Sequence, residues 1–468
     1  MQRGILAWVG LLIRLSLVLA LAGALLAGPA AAQGDRFLSA LSGRWNLALE
    51  TPQGFYQTPV ELIVRKDGKV TATVLGPTGT FAISEAEGTL RGDRVRLSAR
   101  STFGSLRVDA KLVGNELRGR WSPASFLSRL FFRGALRGTR DSNHVPVPHA
   151  QSYEQVWDLL ERHFYALDYN GVDIAALRER VRPQIAASRS DGEFLALMRK
   201  MLGEFRTSHL GLFATPVAPS PDPQEASRAA AASTQGISWR QLSPTIGYLR
   251  IDSFEDGAAV IERLDRAFTQ LRRSDGLIID VRENGGGSLS AAMRLGDHIF
   301  AELRSVGYFV SRDGLVRRGA ASIDQVDATK LPVFSGYTSG ELAREMSSSG
   351  GVMLTTGGRA PAGRVPQPIG NRIVMLVDEY CFSACEALAS VTKETAAATL
   401  VGRRTAGAML AAFPLQIDGG WTLLVPVWDF RTPKGVRVEG QGVEPHVAVR
   451  RRGSGDADLA AALKHLSK

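Results

Sequence analysis

Hydrophobic and polar residues alternate with a period of two from Gly43 to about Arg140. Trp45, Leu47 and Leu49 share one face, as do Val60, Leu62 and Val64, followed by Val70, Ala72 and Val74 across a Lys66-Asp67-Gly68-Lys69 turn. Val95, Leu97 and Ala99 continue the pattern, then Leu106, Val108 and Ala110, then Leu112 and Leu117 on either side of Gly114-Asn115. Strict alternation marks strands with one buried face. Seven or eight of them with tight turns predict an antiparallel barrel or sandwich over residues 36–141. Such a module could bind a ligand in its mouth or be an accessory domain; no polar constellation in this stretch carries chemistry, so a structural or docking role is expected of it.

After Val145-Pro-Val-Pro148 the period becomes helical. Tyr153, Val156, Trp157, Leu160 and Phe164 fall on one helix face, a second helix is predicted near Ile174 to Arg180, and Ser190-x-x-Glu193 has the form of a capping box opening a third. These define a helical subdomain, 150–214, ending at Arg206-Thr-Ser-His-Leu-Gly-Leu-Phe213. Residues 215–235 contain four prolines and a Ser/Ala run and predict a linker. Strand (Ile246–Ile251), helix (about 257–273) and strand (Gly276–Val281) then alternate, which predicts an α/β core with a partly parallel sheet over 236–452. Residues 312–370, rich in Gly and Ser, predict no definite element. Strands are expected between Leu400 and Val449, and 453–468 form a tail with a short helix.

Composition adds little beyond this, except at the N-terminus. Arg3, an apolar stretch through Leu26 and Pro29-Ala-Ala-Ala32 predict a removable signal segment, 1–32, hence a periplasmic or secreted protein. Arg14 interrupts the apolar run and leaves an uncleaved anchor as the alternative. Without this segment the formal charge falls from +10 to +8, but the basic residues are scattered and form no aromatic-laced stripe, which argues against nucleic-acid binding. The two cysteines, Cys381 and Cys385, cannot make a disulfide framework; they either bridge or fill a packed turn, and without a histidine pair they make a poor zinc site.

The segment around them holds the candidate chemistry. Arg372-Ile-Val-Met-Leu-Val377 has the continuous apolar character of a strand buried on both faces, and good helix formers start at Ala384. Ser383 sits at the turn between them. It either caps the helix or offers its hydroxyl as a nucleophile beside the helix's unpaired N–H groups, and the segment alone leaves both open. Asp280-Val-Arg-Glu-Asn-Gly-Gly-Gly287 follows another buried strand, with glycines that would let N–H groups approach a ligand. Of seven histidines, His209 and His446 are the candidates for a base, and His209 lies at an abrupt helix-to-strand change.

Five motifs in order carry a resemblance. They are Thr207-Ser-His209, Asp280-x-Arg282-x-Asn284-x-Gly-Gly287, Phe382-Ser-Ala-x-Glu386, Gly402-x-x-Thr405-x-Gly407, and Thr432-Pro-x-Gly435-x-x-x-Glu-Gly-x-Gly-Val-x-Pro445. Together, across 152–449, they resemble the tail-specific, or C-terminal-processing, serine peptidases and their tricorn-like relatives. The resemblance implies an α/β fold with a ClpP/crotonase-like core of stacked β-β-α units, joined here to the N-terminal all-β barrel-like domain and the small helical subdomain. It also implies a serine endopeptidase acting on polypeptides. One branch of the family pairs its serine with a lysine in a Phe-Gly-Lys-Gly motif, but the matching segment here, Thr405-Ala-Gly-Ala408, has alanine in that place. The tricorn-like branch implies Ser383 as nucleophile, His209 as general base, Glu439 as its distant orienter and Ser208 as a hydroxyl link, with Ala384 and one of Gly286 or Gly287 giving the oxyanion donors. The link through Ser208 needs a local twist, because neighbouring strand residues point to opposite faces.

Two departures stand out. The linker is too short for an inserted PDZ domain, and His446 follows Gly-Val-x-Pro where relatives usually carry aspartate. The reading carries no cofactor and no metal. It expects a polypeptide partner and no stable membrane insertion after signal removal, with homo-oligomerisation left open. The alternatives are a non-catalytic ligand- or protein-binding member of the same fold, and acyl-CoA chemistry of the wider crotonase class, against which export argues.

Overall fold

The structure, a computed structural model, describes residues 40–51, 54–77, 83–101, 104–123, 133–141, 144, 146–215, 236–334, 336, 338–358, 372–450 and 455–467. The expected signal segment and nearly all of the expected linker lie outside these residues. The chain forms two compact units. One holds residues up to Pro146 with 189–195 and 213–219, and the other holds 147–188, 196–212 and the chain from Ser220.

In the first unit the predicted seven or eight strands prove to be eight: β1 (Gly43–Thr51), β2 (Gly54–Val64), β3 (Lys69–Val74), β4 (Glu85–Arg91), β5 (Arg94–Ser101), β6 (Gly104–Val113), β7 (Glu116–Pro123) and β8 (Gly134–Arg140). Each pairs antiparallel with the next, and β8 returns to β1, so the sheet closes and the barrel, not the sandwich, is realised. The alternating apolar positions point inward: Trp45, Val60, Leu62, Val70, Val95 and Leu117 are buried. Trp45 donates its indole N–H to Leu41 O at 2.8 Å, satisfying the polar atom of the bulkiest buried side chain there.

The second unit begins with α1 (His149–His163) and α2 (Ile174–Ala187), each burying an apolar stripe. Helix α3 (Asp191–Gly203) follows; Ser190 Oγ accepts the Glu193 N–H while Glu193 accepts the Arg189 N–H, a close variant of the predicted capping box. Beyond β9 (Gly211–Ala214) come β10 (Ile237–Ser243), β11 (Ile246–Ile251), α4 (Ala258–Leu271), β12 (Gly276–Asp280), α5 (Leu289–Ile299), β13 (Arg304–Ser311), α6 (Arg312–Arg318) and β14 (Val333–Phe334). The chain closes with α7 (Ser339–Ser349), β15 (Gly351–Thr356), β16 (Ile373–Val377), α8 (Ala384–Thr395), β17 (Thr399–Gly402), β18 (Ala411–Ile417), β19 (Trp421–Arg431), β20 (Val447–Ala448) and α9 (Ala457–Leu466).

One sheet runs β10-β11-β12-β16-β17-β20, parallel from β11 onward; the other runs β14-β15-β13-β19-β18. Every residue of β12 and of β16 is buried, which is why both read as unbroken apolar runs. Helices α4, α5 and α8 share one core with both sheets, giving the expected layered strand-and-helix core. The Gly/Ser-rich stretch that predicted no element holds α6, α7 and β15. Helix α7 has only Leu342 and Met346 as buried anchors; Thr338 caps its start and Gly350, in the left-handed region, ends it.

Candidate active site

Strand β16 delivers the chain into a short turn, Asp378–Phe382, before α8. Asp378 organises it: its Oδ1 accepts the N–H of Tyr380 (3.0 Å) and, from the neighbouring loop after β12, the N–H of Glu283 (2.9 Å). Burial pushes the Asp378 carboxyl above its ordinary range, against these two N–H groups. The same two segments meet again where Phe382 N–H donates to Asn284 O. Cys381 and Cys385 are joined by a disulfide that straddles Ser383.

Ser383 occupies the N-cap position of α8, yet its side chain makes no capping hydrogen bond. Its backbone has φ 54°, a conformation unusual for a residue with a Cβ. The capping explanation left open by the sequence therefore does not describe this serine. Its hydroxyl has no hydrogen-bond partner among the described residues, and the Ala384 N–H behind it has none either.

The glycine loop faces this turn. A Cβ built on Gly286 would lie 2.9 Å from Ser383 Cβ and 2.7 Å from Phe382 O, so only glycine lets this backbone lie against Ser383. Gly286 N–H, however, is donated to Asn284 Oδ1 at 2.9 Å, while the Asn284 amide anchors to Ile251 O at 3.0 Å. Of the two glycines considered as donors, Gly287 is the one whose N–H has no acceptor among the described residues. Its φ of 120° and the 2.2 Å approach of a hypothetical Cβ to Phe254 O again exclude other residues.

At the root of this loop, Asp280 is fully buried. Burial alone would raise its carboxyl, but Arg282, Tyr248 and Arg250 hold it below the ordinary carboxylate range. Tyr248 is pushed up to about 12 by burial and by its hydrogen bond to Asp280. Arg282 also reaches Asp456 and Asp458 at 2.8 and 3.1 Å, tying α9 to the loop.

Ser208 and His209 form a turn ahead of β9, and the twist that their side chains need comes from His209 itself, at φ 58°. Ser208 Oγ lies 2.7 Å from His209 Nδ1 and 2.8 Å from Glu439 Oε2, across 231 positions of sequence. A hydroxyl has one hydrogen and a carboxylate only accepts. Ser208 must therefore donate to Glu439 and accept from Nδ1–H, which leaves Nε2 as the unprotonated nitrogen. Glu439 is held in turn by the N–H groups of Ser208 and Met409, both at 2.8 Å. Burial lowers the His209 pKa below its ordinary value, with Glu439 opposing the shift.

The two halves meet through one peptide. Ala408 O accepts the Ser383 N–H at 3.0 Å, and the next N–H, of Met409, donates to Glu439. No hydrogen bond joins Ser383 Oγ to His209. Glu386, quoted in a motif but given no role by the sequence, fixes this peptide: its buried carboxylate accepts Thr405 Oγ1 (2.6 Å) and the N–H groups of Gly407 and Ala408 (both 2.7 Å). Desolvation raises its pKa while these donors and the Ser383 backbone lower it. The signal available was a carboxylate on the buried face of a short helix, three residues after Ser383. His446 lies elsewhere, where its Nδ1 accepts the Leu400 N–H at 2.9 Å, a bond that an aspartate could also make.

Residues 245–449 match the family model described as peptidase family S41, and residues 148–203 match that of the tricorn protease C1 domain. The chloroplastic C-terminal processing peptidase of Tetradesmus obliquus is 25% identical over 221 residues, 47% of this chain and 37% of the relative. The carboxyl-terminal-processing protease of Picosynechococcus sp. is 23% identical over 207 residues, 44% of this chain and 39% of the relative. The chain thus matches less than two fifths of the length of these curated relatives. A solved photosystem II D1 C-terminal processing protease aligns with 65% of this chain and 94% of its own, at 15% identity and a TM-score of 0.39.

Proposed function

From the premise that this chain belongs to peptidase family S41, we propose that it is an exported serine peptidase that cleaves polypeptides through a Ser383 acyl-enzyme. The observation that carries the reading is the Glu439–Ser208–His209 relay, which leaves His209 Nε2 as the free acceptor. Ser383 Oγ attacks the scissile carbonyl carbon and its proton passes to Nε2. The imidazolium is stabilised by Glu439 through the Ser208 hydroxyl. Ala384 N–H and Gly287 N–H receive the oxyanion, and His209 then protonates the leaving amine. Water, deprotonated by the same histidine, releases the acyl group. A depressed His209 pKa favours this cycle at neutral pH, because the base must start unprotonated. The contact between Ser383 and His209 closes when substrate occupies the site. The apolar N-terminal stretch supports export, and the disulfide fits an oxidising compartment.

Labelling with a fluorophosphonate tests the reading. Covalent modification of the mature chain is expected, with loss of labelling in Ser383→Ala and strong slowing in His209→Ala. Absence of Ser383-dependent labelling, with no hydrolysis across a broad peptide library, would favour the non-catalytic binding role.

A further inference from the structure

We propose that the closed barrel β1–β8 is a binding site for a hydrocarbon chain, the acyl or alkyl part of a lipid. The barrel is filled at one end and hollow at the other. Trp45, Leu41, Leu90, Val95, Leu112 and Leu117 pack the filled end. Toward the end marked by Leu49, Tyr56, Val74 and Leu106 lies a cavity of about 100 Å³, far above the roughly 10–15 Å³ that one water requires.

The hollow is written into the strand register. Ala72 pairs with Ala86, and Ala86 with Ala99, so three adjacent strands present a row of alanines to the interior. Larger residues there would complete a solid core, as they do at the other end. An eight-stranded barrel is just wide enough to be filled by side chains or to hold one small ligand.

The walls define the ligand's chemistry. Among the described residues no charged side chain lines the cavity. The three polar side chains among its described lining residues donate to backbone carbonyls: Trp121 Nε1–H to Glu50 O at 2.8 Å, Tyr56 Oη–H to Pro77 O at 3.3 Å, and Thr58 Oγ1–H to Pro59 O at 3.5 Å. A polar ligand group would be desolvated there without compensation. The remaining described walls are aliphatic, and the filled end closes that approach to a ligand.

The test uses the full chain with a fluorescent polyene fatty acid as reporter, displaced by saturated fatty acids and by alkanols of matching length. Saturable uptake of one reporter per chain is expected. Displacement should strengthen about fourfold for each added methylene and then level off once the cavity is full. Alkanols should displace within about threefold of the acids, since the chain and not the head is recognised. Ala86→Leu and Ala99→Leu, which fill the hollow, should each weaken uptake at least tenfold while circular dichroism stays native; the outward-facing Ser98→Leu should leave uptake intact. Several outcomes would overturn the site: no uptake, affinity that climbs with chain length without a plateau, uptake indifferent to filling, or displacement confined to the acids. None of these readouts depends on peptidase activity.

Discussion

The barrel and the α/β core handle charge in opposite ways. On the barrel strands Arg94 with Asp109 and Arg118 with Glu116 stand in solvent, with side chains more than two fifths exposed, while Arg44 of β1 is the exception, buried against Asp191. The barrel's described interior holds no charged side chain. In the core the charges go inside, where Asp280 is fully buried beneath Arg282, Arg431 joins Asp429 with both almost inaccessible, and Glu386 and Glu439 are buried among backbone N–H donors. Exposed pairs contribute little to stability, whereas a buried charge must be fully matched or it destabilises. Buried charge is thus concentrated where loops must be held in fixed geometry, around Ser383 and the glycine loop, whereas no charged side chain among the described residues lines the barrel cavity.

The contrast can be broken most sharply at the serine. Ser383→Ala should lower kcat/KM by a factor on the order of 10⁴ to 10⁶ while hydrocarbon uptake by the barrel is unchanged. Coupled loss of both would mean that the two regions do not act separately. Next in size is Glu439→Gln, expected to slow turnover by about a hundredfold as a positioning residue. Its pH profile separates that role from a purely structural one. The acid limb of kcat/KM reports protonation of His209 and should lie below 6.5, since burial depresses that pKa. Glu439 raises it, so the variant's limb should move to still lower pH. An unmoved limb would remove Glu439 from the relay.

A smaller effect falls on stability. Arg282→Ala strips the main partner from a buried carboxylate and should destabilise the core by about 3 kcal/mol in denaturant unfolding. Arg94→Ala, its counterpart on the barrel surface, should leave the unfolding midpoint in place. Equal shifts from the two would erase the distinction.

Much of the fold was legible because a half-buried strand must alternate and a doubly buried one cannot. Trp45-x-Leu47-x-Leu49 and Ile373–Val377 are the two cases. Helix α7 escaped because two apolar anchors among serines do not make a periodic stripe, although Thr338 and Gly350 mark its ends. At the candidate site, periodicity suggested Ser383 and His209 only as turn residues. The pairing of Ser208 with Glu439 came from motif resemblance, since nothing local links residues 231 positions apart. What sequence could not convey was backbone sign: the positive φ of His209 turns two adjacent side chains toward each other, and Gly286 and Gly287 differ in which N–H is already engaged.

Under the proposed mechanism, the uncapped serine also means that evolution toward robustness and evolution toward catalysis pull this position apart. Serine is among the best N-cap residues, but here it gives no capping bond and holds φ at 54°. Relief of such strain is worth roughly 1 kcal/mol. Ser383→Gly should therefore melt slightly higher than the parent, by about 1–2 °C for a unit of this size, while losing all fluorophosphonate labelling. A lower melting temperature would show that the serine side chain supports the fold after all. A selection that rewarded thermal endurance alone would be expected to discard this serine first, so its presence is a record of selection for something other than endurance.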